Sequence, residues 1–182
     1  MRTDEGPVSE NSLKIVVMGV SGSGKSLVGA GIATALDATF VDSDALHPRE
    51  NVAKMSRGDP LDDADRAPWL DRVGDRLGEA GDCVIACSAL KRVYRDRIRA
   101  ASGGPVIFVH LIGDQTLISE RMAARVDHFM PPRLLASQFA TLEVPDADEA
   151  AIAVDISPPP VASVIANALD ALGDAARLTD SK

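Results

Sequence analysis

The sequence predicts an α/β fold: a parallel five-stranded sheet with helices on both faces. Three observations predict it. Short apolar, β-branched runs alternate with helical segments along nearly the whole chain, the pattern of right-handed crossovers between parallel strands. A glycine-rich loop joins the first run to the first helix. Hydrophobic residues make up 46% of the 182 residues, enough for one domain with two buried sheet faces.

The elements follow in order. Residues 13–18 (Leu13-Lys14-Ile15-Val16-Val17-Met18) form an apolar run ended by Gly19 and read as a strand buried on both faces. Residues 28–36 read as a helix, 39–41 as a second strand ending in Asp42, and 48–57 and 65–80 as helices. Residues 83–87 make a third strand, followed by an Arg-rich helix from Lys91. Residues 105–111 are a fourth strand and 114–125 a helix; 126–133, with two prolines and no period, are a loop. A helix over 134–142, a short strand over 151–156 and a helix over 161–172 complete the chain, with Gly173 as the stop signal. Residues 1–12 and 174–182 are expected as tails around a single domain over 13–173.

Ligands of such sheets bind beyond the carboxyl ends of the strands, and the first of these ends carries a motif. Gly19-Val20-Ser21-Gly22-Ser23-Gly24-Lys25-Ser26 fits G-x-x-x-x-G-K-[ST], between a strand and a helix. Its glycines let successive N–H groups turn towards phosphate oxygens. The helix start adds the positive end of its dipole. Gly19, Ser21, Gly22, Ser23, Gly24, Lys25 and Ser26 are therefore expected to cradle ATP, with Lys25 reaching the β- and γ-phosphates and the Ser26 hydroxyl ligating Mg²⁺.

Composition limits the partners. A net charge of −8 and six aromatic residues (four Phe, one Tyr, one Trp) exclude a basic nucleic-acid footprint or a base-stacking platform. No apolar run is long enough to span a bilayer, and residues 1–12 lack the apolar core of a signal peptide. Cys83 and Cys87, roughly 13 Å apart along a strand, lie beyond the about 7 Å reach of a disulfide. They read as reduced thiols of a cytoplasmic protein.

No acid ends the third strand, so the Mg²⁺-orienting carboxylate is sought at Asp42 and Asp44. In an extended segment residues two apart point the same way. One carboxylate would hold Mg²⁺ through water (Asp42) and the other accept a substrate proton (Asp44); the alternative is an acidic turn capping the next helix. Beyond them, His47, Asn51 and Lys54 suit a small polyhydroxylated anion, or form a solvated helix face. Arg121 and Arg125, four apart on a helix entering the proline-containing loop, suit a transferring phosphoryl group, or an exposed charged stripe. His110 reads as a core residue and Trp69 as a packing anchor.

The order of this P-loop, Asp42-Ser43-Asp44-Ala45-Leu46-His47-Pro48, Asn51-Val52-Ala53-Lys54-Met55, the 58–66 acidic segment, Pro68-Trp69-Leu70, Cys87-Ser88-Ala89-Leu90-Lys91, Tyr94-Arg95-Asp96 and Ser137-Gln138-Phe139 with Leu142-Glu143 closely resembles the gluconokinases, over about residues 14–172. The resemblance implies a nucleoside-monophosphate-kinase-like P-loop NTPase fold with a lid at about 121–135, a homodimer, and ATP-dependent phosphorylation of D-gluconate at its 6-hydroxyl. It implies catalytic roles for Lys25, Asp44, Arg121 and Arg125, and an ATP contact from Arg121. Gluconate would then meet Asp44, His47, Lys54, Arg57, Lys91, Arg95 and His128. Adenine is expected near Arg121 and the loop after Asp155. Two positions depart from the family: Ser43 and Asp127 stand where glycine is common. A kinase for shikimate or another sugar acid would share the P-loop and the Asp42–Asp44 pair. A nucleotide-dependent switch is disfavoured because the guanine-reading Asn-Lys-x-Asp motif is absent.

Overall fold

The computed structural model describes residues 12–79, 81–125, 132–157 and 160–179. Five parallel strands, β1 (Lys14–Met18), β2 (Thr39–Asp42), β3 (Cys83–Ala86), β4 (Ile107–Ile112) and β5 (Ala151–Asp155), form one sheet in the order β2-β3-β1-β4-β5. β1 lies at the centre, and its neighbours β3 and β4 lead away on opposite sides. That is the topological switch point where such sheets open a crevice.

Alternate residues of each strand feed two cores. Ile15, Val17, Val84 and Val109 face one side, where α1 (Lys25–Leu36) and α7 (Val161–Thr179) supply Val28, Ile32, Val164 and Ala168. Val16, Met18, Ile85 and Phe108 face the other, against Trp69, Leu70, Val73 and Leu77 of α3 (Asp63–Gly78) and Ile98 of α4 (Arg92–Ser102). α3 and α4 approach closely at Gly74, where an added Cβ would sit 2.4 Å from that of Ala101. Only glycine permits that spacing. α2 (Arg49–Ser56) precedes α3 in the β2–β3 connection, and α5 (Gln115–Ala123) and α6 (Pro132–Thr141) make up the β4–β5 connection, where they add Ile118 and Leu135 to the first core.

Three local expectations are corrected. Residues 43–46 are not extended: Ser43–Leu46 is a short 3-10 turn capped by Asp42, whose Oδ1 accepts from the Asp44 N–H. α3 starts at Asp63 because Asp62 and Asp65 form a reciprocal capping box ahead of it. Gly173 does not stop α7, which continues to Thr179. A terminating glycine adopts a left-handed conformation, as Gly103 does after α4 with φ 65°. Gly173 is not among the positive-φ glycines, and the helix-favouring residues after it let the chain tolerate a cost of about 1 kcal/mol. His110 is a core residue as expected, 4% exposed, and Cys83 and Cys87 are free, buried thiols.

Candidate active site

β1 delivers the chain into the phosphate loop at the switch point. Gly22 and Gly24 have φ of 80° and 91°, which side-chain-bearing residues rarely adopt. The Ser23 hydroxyl and the Lys25 ammonium both donate to the Val20 carbonyl, at 2.7 and 3.0 Å, and so draw the loop into a tight curl. α1 begins at Lys25, so its first N–H groups lack partners within the helix and face the loop's concave side. Burial lowers the Lys25 pKa below the ordinary lysine value, against the pull of Cys87, Asp44 and Asp42.

The loop forms one wall of a cleft of about 980 Å³. Across from it stand Asp42, Asp44 and His47, so the predicted pair of acids does reach the loop mouth. The 3-10 turn, rather than an extended segment, brings them there. Asp42 accepts from the Ser26 hydroxyl at 2.6 Å through Oδ2. Among the described residues no hydrogen bond or ion pair engages the Asp44 carboxylate, which is exposed to the cleft. The Ser26 hydroxyl and Asp42 carboxylate are hard oxygen donors side by side. They fit Mg²⁺, which is bound through few protein oxygens and keeps places for water and phosphate.

His47 stacks on Trp69, with ring centroids 4.3 Å apart and 12° between planes. Trp69 is thus both the expected packing anchor and a wall of the cleft. Its Nε1–H donates to the Ser43 carbonyl at 2.8 Å and so ties the 3-10 turn to α3. Burial lowers the His47 pKa; Asp44 opposes this and Arg66 adds to it.

Several predicted cations lie elsewhere. Arg95, expected beside the substrate, is fully buried: it pairs with Glu149 at 2.6 Å and donates to the Ala89 and Leu90 carbonyls. Lys91 pairs with Asp63 at 3.0 Å and Lys54 with Asp65 at 2.5 Å, and neither lines the cleft. Arg57 pairs with Asp59 at 3.3 Å on the surface. Arg121 donates to the Ile156 carbonyl at 2.6 Å, which places it beside the loop after Asp155 rather than at the cleft. Arg125 does line the cleft. His128 and Asp127 lie outside the described residues, as do residues 126–131 of the expected lid.

Among the cleft residues to which the sequence assigns no role are Arg66, Ser88, Met122 and Gln138. Arg66 had a readable signal, since it lies three residues before Trp69 on α3 and so shares its face. Among the described residues lining the cleft, the Lys and Arg side chains are Lys25, Arg66 and Arg125.

A family model described as an AAA domain matches residues 15–145. A curated gluconokinase from Gluconobacter oxydans (strain 621H) is 52% identical over 144 residues, covering 77% of this chain and 80% of its own. The crystal structure of a gluconokinase from Sinorhizobium meliloti 1021 superposes with a TM-score of 0.83 at 48% identity, covering 93% of this chain and 94% of that one. A shikimate kinase from Acinetobacter baumannii, at 16% identity, a TM-score of 0.58 and coverage of 90% and 95%, shares the fold alone. With the phosphate loop, the paired acids and these relatives agreeing, the chain belongs to the gluconokinase family.

Proposed function

We propose that the protein transfers the γ-phosphoryl group of ATP to the 6-hydroxyl of D-gluconate, in the cytoplasm. The observation that carries this is one cleft in which the phosphate loop faces Asp44 and His47, in a chain of the gluconokinase family. ATP phosphates lie along Gly22 to Ser26, at the start of α1. Ser26, and Asp42 through water, would hold Mg²⁺, which when bound would offset phosphate charge. Lys25 swings from the Val20 carbonyl to the phosphates, where its buried position strengthens the attraction.

Gluconate occupies the side of the cleft walled by Asp44, His47 and Trp69, with Arg66 available to its carboxylate. Asp44 orients the hydroxyl and accepts its proton. The hydroxyl oxygen bonds to the γ-phosphorus while the bond to the β–γ bridging oxygen breaks, and ADP keeps that electron pair. Arg125 offsets charge on the group in flight.

The test is ADP release from MgATP with gluconate, other aldonates, shikimate or no acceptor. Release stimulated by gluconate supports the reading; equal release with and without every acceptor would refute it. Asp44→Ala should lower kcat by orders of magnitude in a folded protein, and near-normal turnover would remove Asp44 as the base.

A further inference from the structure

Asn51 is 3% exposed, and its side chain is fully engaged on one side. Its Nδ2 lies 2.9 Å from the Asp65 carbonyl oxygen. A carbonyl only accepts, so the atom there is the NH₂ nitrogen, and the orientation of the amide follows. The same nitrogen lies 3.4 Å from Nδ1 of His47. One of its hydrogens points to Asp65 and the other to the imidazole. A donor facing Nδ1 requires a lone pair there, which leaves the ring proton on Nε2.

The rest of the ring is equally constrained. Its face is stacked on Trp69, and Trp69 is itself tied to the Ser43 carbonyl. With Nδ1 turned to Asn51, Nε2 is the nitrogen left for the cleft that His47 lines. The charged groups around the ring are Asp44 and Arg66, of opposite sign.

We infer that Asn51 is a positioning residue that holds His47 as the neutral Nε2–H tautomer. His47 is then a hydrogen-bond donor to an oxygen of the acceptor and has no lone pair free to take the acceptor's proton. This rests on the kinase reading only for the identity of the acceptor. It also explains why two groups able to act as bases share one wall: Asn51 removes one of them, and the proton goes to Asp44.

Long-range ¹H–¹⁵N spectra of the full chain labelled at its three histidines, without ligand at neutral pH, read the tautomer directly. His47→Gln assigns the signals. A pyridine-type Nδ1 and a pyrrole-type Nε2 are expected for His47; a protonated Nδ1 would overturn the inference. Asn51→Asp replaces the donor by an acceptor and should draw a proton onto Nδ1, with the imidazolium persisting to higher pH. At a pH where the ring is neutral, its proton then sits on Nδ1 and Nε2 no longer donates, so the KM for the acceptor should rise about tenfold while that for ATP stays put. An unchanged His47 spectrum in a folded Asn51→Asp protein would overturn it too.

His47→Gln supplies an independent kinetic check, because a glutamine amide can donate but cannot serve as a base near neutrality. It should keep kcat within about tenfold and act chiefly on the acceptor's KM. A kcat loss matching that of Asp44→Asn would show His47 to be the base. The tautomer is read without any acceptor, so it stands or falls separately from the gluconate assignment.

Discussion

Gln138 of α6 grips the backbone N–H and the hydroxyl of Ser21 in the phosphate loop. Its Oε1 accepts from the Ser21 N–H at 2.6 Å and its Nε2 donates to the Ser21 hydroxyl at 3.1 Å. The helix that begins within the expected lid is thereby fastened to the phosphate loop. Gln138→Leu breaks both bonds and leaves the loop N–H unpartnered. The KM for ATP should rise about tenfold, the worth of one to two such bonds, with the melting temperature little changed. An ATP KM within twofold of the parent would show the clasp to be incidental.

That clasp was also the kind of feature the sequence could not disclose. The phosphate loop was legible because its chemistry is local: eight consecutive residues between a strand and a helix. Gln138 lies 117 residues from Ser21, and no spacing rule connects them. Arg95 failed for the same reason. Its Arg-rich helix is expected from the sequence, but its partner Glu149 comes 54 residues later, and a buried pair looks like any other charge until the fold brings it together. Lys54 and Lys91 are likewise expected at the substrate, because their partners Asp65 and Asp63 belong to another helix. The acids at 42 and 44 reach the loop mouth through a 3-10 turn, not the extended segment that the sequence suggests. A turn and an extended segment both carry them to the loop mouth, and only the Asp42 cap separates the two.

Lys25 should show its environment in the pH profile. Burial holds its pKa below the ordinary lysine value near 10.5, and only the protonated form attracts phosphate. In kcat/KM for ATP, which reports the free enzyme, the alkaline fall should therefore begin below pH 10.5. Lys25→Arg should move that fall upward, and Lys25→Ala should cut kcat roughly 10²–10³-fold without unfolding the protein. An alkaline limb unaffected by Lys25→Arg would assign it to another group.

Asp42 is expected to matter through the metal. It receives the Ser26 hydroxyl on one oxygen and the Asp44 N–H on the other, so it fixes both the oxygen pair and the turn that carries Asp44. Asp42→Asn keeps the shape but removes the charge. The Mg²⁺ concentration for half-maximal activity should rise at least about tenfold, in keeping with a charge-assisted contact. Excess Mg²⁺ should restore most of the turnover. Loss of kcat that no Mg²⁺ concentration repairs would place the role of Asp42 in the turn alone.

The Arg95–Glu149 pair should govern acid stability rather than catalysis. Arg95 is fully buried and Glu149 2% exposed; Arg99 and the Asp146 N–H complete the carboxylate's partners at 3.3 and 3.1 Å. The Arg95 hydrogen bond, ahead of the other contacts, holds the Glu149 pKa down to about 2. A depressed carboxylate pKa stabilises the fold fully above its unfolded value near 4.5, and that contribution is lost as pH falls towards 2. Glu149→Gln strands a buried guanidinium and should cost about 3 kcal/mol at pH 7. In urea unfolding, the gap between parent and Glu149→Gln should be constant from pH 7 to about 5 and close progressively below it. A gap that stays the same down to pH 3 would mean that the pair contributes packing and no charge.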